Sequence, residues 1–330
     1  MNALGGKGLP FVFLISFSGE GNLVIPMEEA AGQGFCLAMP GMVNHDLPGM
    51  VHKDLLGPVD HDLSGMMSGP VQFRKSPVEK GRYREAFNHV KEQILYGNSF
   101  LLNLTFPTRV ETNMTLREVF ARSRAPFRLY LEDELVVFSP ERFVRVDGRS
   151  ISSNPMKGTM DAGIAGAHEK LLSDPKEDAE HNTIVDLIRN DLSIIASGIR
   201  VKRFKYVEKV RTHRGDLLQM SSEITGILPE DYQGRLGQLF FSLLPAGSIS
   251  GAPKSKTVEI IRQAEGYDRG YYTGVFGYWD GRSLDSAVAI RYMERDAEGL
   301  LFKSGGGITF LSDCEKEYEE MLNKVYVPIY

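Results

Sequence analysis

Lys157 and Glu141 are the two residues whose types and spacing first point to covalent chemistry. Lys157 lies in Asn-Pro-Met-Lys-Gly-Thr at 154–159. Between it and Glu141 the chain reads as two strands, 143–146 and 149–153, joined by Asp147-Gly148, the dipeptide favoured in two-residue hairpin turns. Counting from that turn, Val146 faces Arg149, Val144 faces Ile151 and Glu141 lands opposite Asn154. Lys157 then leaves the hairpin at the end where Glu141 enters it, which sets an amine nucleophile beside a carboxylic acid. The plainer account, an exposed Glu–Lys pair at a sheet edge, would contribute little to stability.

Two other segments each offer a pair of glutamates three residues apart. In EDAEHNTIVDLIRNDL, 177–192, helical periodicity gives an apolar stripe of Ile184, Leu187, Ile188 and Ile195, and Glu177 and Glu180 fall on that stripe. Carboxylates on an inward face are costly unless a cation or several donors compensate them. In EKEYEEMLNKV, 315–325, Glu317, Glu320 and Lys324 form a narrow stripe flanking Tyr318, Met321, Leu322 and Val325. Oxygen-only ligands of this kind suit Mg²⁺, which keeps several waters and bridges to an anionic substrate. Taken singly, each segment also reads as a charged surface helix with i, i+4 pairing.

An anion site is suggested nearer the C-terminus. The stretches 271–279, 284–294 and 300–304 read as a meander turned at Asp280-Gly281 and near Glu298-Gly299. With Trp279 facing Arg282, Tyr272 falls opposite Ala289 and Gly270 opposite Arg291, which makes Tyr272 and Arg291 diagonal neighbours on one face. A guanidinium fork with a phenol hydroxyl can hold a carboxylate. The small face partners Ala287 and Ala289 leave room for a pocket, and Gly305-Gly306-Gly307 would bring backbone N–H groups close to a ligand. The segment 247–257 imitates a phosphate-binding loop, but Ala252-Pro253 stands where the glycine before the lysine is required, so a nucleotide-hydrolysing reading fails.

The elements that must position these groups follow from periodicity. Helices are expected at 78–96, 115–123, 175–197, 232–243, 255–264 and 313–326, and strands at 99–109, 201–208 and 217–225 besides those above. Strands come in hairpins with helices between groups, which argues α+β with antiparallel sheets. The apolar run 9–17 has one preceding lysine, no small-residue cleavage pattern after it, and ends in Ser-Gly-Glu-Gly, so it reads as a buried strand rather than a signal segment. Residues 40–70 repeat a His/Asp-Leu-x-Gly theme and read as an irregular insertion. His45, His52 and His61 alternate there with Asp46, Asp54 and Asp62, but nothing rigid holds them as metal ligands. The expected division is 1–76 as an N-terminal region that includes the 40–70 insertion and 77–330 as the domain that carries the candidate site residues.

Composition closes off several classes. At 330 residues, 42% hydrophobic and 25% charged, the chain can bury a large core. A net charge of −5 gives no basic footprint for nucleic acid. No apolar run reaches membrane-spanning length. Two cysteines, Cys36 and Cys314, make neither a disulfide framework nor a metal motif, so a cytoplasmic location is expected.

Together and in this order, GNSFLLNLT (97–105), SPERF (139–143), NPMKGT (154–159), EDAEHNTIVDLIRNDL (177–192), LLPAGSISGAPK (243–254), YYTGVFGY (271–278), SAVAIRY (286–292) and GGGITFLSDCEKEYEEMLNK (305–324) resemble the chorismate-utilising enzymes. That family includes anthranilate synthase component I, aminodeoxychorismate synthase component I, isochorismate synthase and salicylate synthase. The resemblance spans about 77 to 327 and implies an α+β sandwich of antiparallel β-sheets with outer helices. It implies Glu180 and Glu320 as Mg²⁺ ligands, with Glu177 and Glu317 in support through water. It makes Glu141 the acid that assists departure of the C4 hydroxyl. Arg291 and Tyr272 would grip the enolpyruvyl carboxylate, with Gly158, Thr159, Gly306 and Lys324 around the ring and its carboxylate. The Pro-x-Lys-Gly-Thr form looks like aminodeoxychorismate synthase, in which the lysine attacks C2 of chorismate and ammonia displaces it at C4. Isochorismate and salicylate synthases carry a water-activating lysine where this chain has Leu101, and leucine cannot act as a base. Leu101, in place of the Gln many of the closest relatives carry, and Gln219, in place of a usual His, depart from the pattern. No Cys–His–Glu amidotransferase constellation is recognisable, so a separate glutaminase subunit is expected to supply the ammonia.

Overall fold

The computed structural model describes residues 1–40, 42, 71–173, 175–212 and 215–328. After a short α1 (Asn2–Gly6), the N-terminal segment supplies β1 (Phe11–Ile15), β2 (Leu23–Pro26) and β3 (Phe35–Ala38). Then follow β4 (Phe73–Ser76), α2 (Lys80–Leu95), β5 (Leu101–Thr112), α3 (Leu116–Arg122), β6 (Phe127–Leu131), β7 (Leu135–Ser139), β8 (Arg142–Asp147), β9 (Ser150–Ser153) and β10 (Met156–Asp161). The middle of the chain gives α4 (Ala167–Ser173), α5 (Pro175–Ile195), β11 (Ser197–Thr212), β12 (Gly215–Ile227), α6 (Leu236–Leu243), the two-residue β13 (Gly251–Ala252) and α7 (Lys254–Glu265). Last come β14 (Val275–Trp279), β15 (Ser283–Val288), β16 (Tyr292–Asp296), β17 (Gly299–Thr309) and α8 (Cys314–Asn323).

These strands build two antiparallel sheets. One runs β10-β12-β9-β8-β15-β14-β1-β2 with β11 on β12, the other β13-β5-β17-β16-β7-β6-β3 with β4 on β5. β1 shows why they stack. Its alternate residues Phe11, Phe13 and Ile15 pack with Ile184, Ile188, Leu239 and Phe240 of α5 and α6, while Val12 and Leu14 pack with Leu129 and Val137 of the facing sheet. The far side of the second sheet, Leu102, Leu104, Phe106 and Ile308, is covered by Tyr83, Phe87 and Val90 of α2, Ile260 and Ile261 of α7, and Met321 of α8. The result is the expected α+β sandwich with outer helices. No helix among the described residues is long and apolar enough to cross a membrane.

Four expectations about register and breaks need correction. The hairpin pairs Asp147 with Ser150 and Val146 with Ile151, so the turn residues are Gly148-Arg149, with Gly148 left-handed at φ 56°, rather than Asp147-Gly148. A two-residue shift keeps every side chain on its face, so Glu141 and Lys157 still leave the same end. Ser153 Oγ donates to Phe143 O at 2.9 Å, which fixes that end two residues from Glu141 and four from Lys157.

The meander likewise pairs Trp279 with Leu284 and Val275 with Val288. Asp280 Oδ1 accepts from Arg282 N at 2.7 Å and Ser283 N at 2.6 Å, and this side-chain turn lengthens the loop. Past Val275 the pairing becomes irregular, with Thr273 N donating to Ala289 O and Ala289 N to Gly274 O, both at 2.8 Å, so the ladder that would make Tyr272 and Arg291 diagonal neighbours is not formed. Nor is 284–294 one strand: β15 ends at Val288 in the first sheet, Arg291 turns left-handed at φ 55°, and β16 starts at Tyr292 in the second. The triple glycine, expected as a lead-in, lies inside β17, where Gly305, Gly306 and Gly307 pair with Thr105, Leu104 and Asn103. The His/Asp repeats at 45–62 fall outside the described residues.

Candidate active site

A cavity of about 150 Å³ is lined by Glu141, Tyr272, Arg291, Gly306 and Lys324 of the expected site residues. The left-handed turn at Arg291, where the chain crosses between sheets, is what brings that side chain to it. Arg291 Nη1 donates to Lys324 O at 2.7 Å and the guanidinium lies 4.9 Å from the Tyr326 ring. Its other N–H groups have no hydrogen-bond partner among the described residues, which suits them to an anion. Tyr272 is 3% exposed. Burial pushes its phenol up, opposed by the Arg269 charge, so the hydroxyl stays protonated as a donor.

Gly306 forms a cradle. A Cβ there would stand 3.3 Å from Glu317 Oε2, 3.6 Å from Lys324 Nζ and 3.7 Å from Glu320 Oε1. Lys324 Nζ is itself 2.7 Å from Glu320 Oε1 and donates to Gly305 O at 2.9 Å. Gly306→Ala is therefore expected to leave the fold intact, since those neighbours are side-chain ends, yet to weaken ligand binding by about tenfold or more by filling the cradle. Gly305→Ala is the contrast: its Cβ would meet Leu104 O at 2.2 Å, a backbone clash that should lower the melting temperature. Melting curves and ligand titrations on the two variants separate the effects.

Also in the cavity lining, Ser248 Oγ donates to Glu141 Oε1 at 2.7 Å. Glu141 is further fixed through its backbone, with N donating to Ser139 Oγ at 3.1 Å and O accepting from Val288 N at 3.1 Å. Ser248 was not among the expected residues, because its part depends on how its loop is held. Lys254 does the holding: Nζ lies 2.8 Å from Asp191 Oδ1 and donates to Leu243 O at 2.7 Å. The lysine that imitated a phosphate-binding motif is thus a strut between α5 and the loop. Burial raises the Asp191 carboxyl, against the pull of Lys254 and the Gly247 N–H.

Beneath the cavity Arg269 is 2% exposed and uses all five of its N–H groups. Nε and Nη2 donate to Glu265 Oε2 and Oε1 at 2.9 and 2.6 Å, Nη1 to Ile249 O and Thr273 Oγ1 at 3.2 and 3.1 Å, and Nη2 also to Asn103 O at 2.7 Å. One side chain ties together α7, β5, the Ser248 loop and the segment leading to β14.

The remaining expected residues sit around β10. Backbone pairing sets Lys157 against Met220 and Thr159 against Gln219 of β12, with an irregularity between them. At that irregularity Gly158 is left-handed at φ 77°, and its missing Cβ leaves 3.1 Å to Glu177 Oε2. The strand bearing Lys157 therefore passes directly against the helix bearing Glu177 and Glu180, both half-buried. None of the four glutamates lines the cavity itself, and no group of three or more potential metal ligands occurs among the described residues. The carboxylates occur as two separate pairs, Glu177 with Glu180 on α5 and Glu317 with Glu320 on α8, and oxygen-only donors of this kind suit a hard cation. Leu101 is not among the residues that line the cavity; its Cδ1 stands 3.0 Å from where a Cβ of Gly307, which does line it, would be.

Comparison with known proteins gives the family and the fold. The sequence profile of the chorismate binding enzyme family matches residues 62–329. A PabA-like protein of Pasteurella multocida is 47% identical over 328 residues, covering 99% of this chain and 97% of its own length. Anthranilate synthase component 1 of Archaeoglobus fulgidus is 35% identical over 272 residues, covering 76% of this chain and 63% of its own. Among solved structures, anthranilate synthase component I from Streptococcus pneumoniae superposes with a TM-score of 0.65 at 27% identity, over 78% of this chain and 59% of that one. The menaquinone-specific isochorismate synthase MenF from Escherichia coli shares the fold, with a TM-score of 0.70 at 17% identity over 96% and 77% of the two chains.

Proposed function

Because this chain belongs to the chorismate binding enzyme family, we propose that it is an aminodeoxychorismate synthase component I, converting chorismate and ammonia to 4-amino-4-deoxychorismate in the cytoplasm. The observation that supports this reading is the lining of the cavity. An acid, Glu141 held by Ser248, and carboxylate-binding groups, Arg291, Tyr272 and Lys324, line the same cavity. Chorismate is a ring with two carboxylates and one leaving hydroxyl, and needs both kinds of group.

Arg291 and the Tyr272 hydroxyl hold the enolpyruvyl carboxylate, while Lys324 and the Gly306 cradle lie toward the ring carboxylate. Glu177, Glu180, Glu317 and Glu320 would hold Mg²⁺, which would supply positive charge to a substrate carboxylate and draw electron density from the ring. Glu141 gives its proton to the C4 hydroxyl as the Lys157 amine bonds to C2, both ring double bonds shift by one position toward C4, and water departs with the C4–O electron pair. Ammonia then bonds to C4, both double bonds return to their first positions, and the lysine leaves from C2 with the electron pair of the C2–N bond. Lys157 distinguishes this reading from anthranilate synthesis, and Leu101 from addition of water at the ring.

Incubating the purified chain with chorismate, ammonium and Mg²⁺ and identifying the product by mass tests the proposal. An aminated product that retains the enolpyruvyl group is expected, whereas anthranilate, which has lost it, would refute it. With glutamine in place of ammonium, and contaminating ammonium removed, the isolated chain is expected to be inactive until a separate glutaminase subunit is added. Robust glutamine-dependent turnover by the chain alone would refute the two-component arrangement.

A further inference from the structure

Asn103 lies on β5, where Leu102 and Leu104 turn into the helix-covered core and the odd-numbered residues take the opposite face. It lines the cavity, and both backbone groups are fixed: N donates to Ser250 O at 3.0 Å and O accepts from Arg269 Nη2 at 2.7 Å. Its partner across the ladder is Gly307, so no side chain stands opposite it. Thr105, next on that face, has its hydroxyl engaged by Glu265 Oε1 at 2.9 Å and Tyr267 OH at 2.6 Å, and Leu101, before it, is apolar. Asn103 Oδ1, in contrast, is shielded from solvent and has no hydrogen-bond partner among the described residues. An acceptor left in that state is unfavourable in the empty pocket and favours any ligand that brings it a donor.

We propose that Asn103 is a specificity-determining substrate-binding residue whose carboxamide oxygen accepts a hydrogen bond from the C4 hydroxyl of chorismate, the group that leaves. This rests on the reading of the reaction given above and adds a contact to it. Asn103 adjoins, through Ser250, the same short loop whose Ser248 holds Glu141. The leaving hydroxyl offers its hydrogen to Asn103 and a lone pair to Glu141. When Glu141 protonates that lone pair, the C4–O electron pair passes to oxygen and water departs. As positive charge gathers on the oxygen, its O–H becomes a stronger donor, so the contact tightens as the bond breaks.

The test is equilibrium binding, by titration calorimetry, of chorismate and of the analogue with hydrogen in place of the C4 hydroxyl. All variants carry Lys157→Ala so that no covalent step intervenes. The parent is expected to prefer chorismate by about tenfold or more. Asn103→Leu, similar in shape but lacking an acceptor, should bind the two nearly equally. Asn103→Asp should weaken both through charge repulsion while keeping the preference. A parent without preference, an unchanged preference in Asn103→Leu, or equal loss in the Leu and Asp variants would overturn the assignment while leaving chorismate as the ligand. Failure of the parent to bind chorismate at all would remove the proposed function along with it.

Discussion

Lys157→Ala is expected to lose amination by on the order of a thousandfold or more while chorismate binding stays measurable, because the substitution deletes the nucleophile and few ground-state contacts. Binding would be followed by calorimetry and turnover by product mass. A second observation should accompany it: wild-type protein given chorismate without ammonia should accumulate an adduct on Lys157, detectable by mass spectrometry of the intact chain and of its peptides. Amination by the alanine variant near the wild-type rate would exclude a covalent part for this lysine and leave direct attack of ammonia at C4.

Arg269→Met is expected to cost about 3–5 kcal/mol of folding stability, the range found when one partner of a buried ion pair is removed. The loss is large because Glu265, with its side chain 1% exposed, would keep a charge in the interior with only the Thr105 N–H and hydroxyl, at 2.8 and 2.9 Å, left to meet it. Ile249 O and Asn103 O would lose their donor as well. Urea unfolding measures the effect, and replacing both partners, as Arg269→Met with Glu265→Leu, should recover much of it because no buried charge is then left alone. If the single variant is as stable as wild type, the network is not what holds the cavity floor.

The helices that cover the sheets were legible because their apolar residues recur at helical spacing, as Tyr83, Phe87, Val90 and Ile94 do on α2. The strands of the first hairpin were legible too, and its register failed only because Asp147 pairs with Ser150 instead of turning. The hairpin of β6 and β7 was not foreseen: Leu135 to Ser139 are buried on both faces, so no alternation marks them. The break at Arg291 was invisible because one left-handed residue that is not glycine leaves no trace in composition. Gly305 to Gly307 looked like punctuation, whereas they lie inside β17, where the backbone of β5 leaves no room for a Cβ at Gly305 and side-chain ends of α8 crowd the place of one at Gly306. Ser248 and Asn103 could not be found by spacing at all. Each matters through a neighbour more than a hundred positions away, Glu141 and Arg269.

The cavity draws its walls from Asn103, Glu141, Ser248, Tyr272, Arg291, Gly306 and Lys324, stations spread over two thirds of the chain and delivered by both sheets. No single hairpin or helix pair carries more than a fraction of the binding surface, so the cavity exists only when β5, β8, β17 and the Ser248 loop have all reached their places. Pairings between such distant segments form slowly, after much chain entropy has already been lost. Occupancy by ligand is then a report on the completed fold, and saturating ligand should raise the unfolding midpoint of the entire chain in proportion to the logarithm of its concentration rather than protect one local segment.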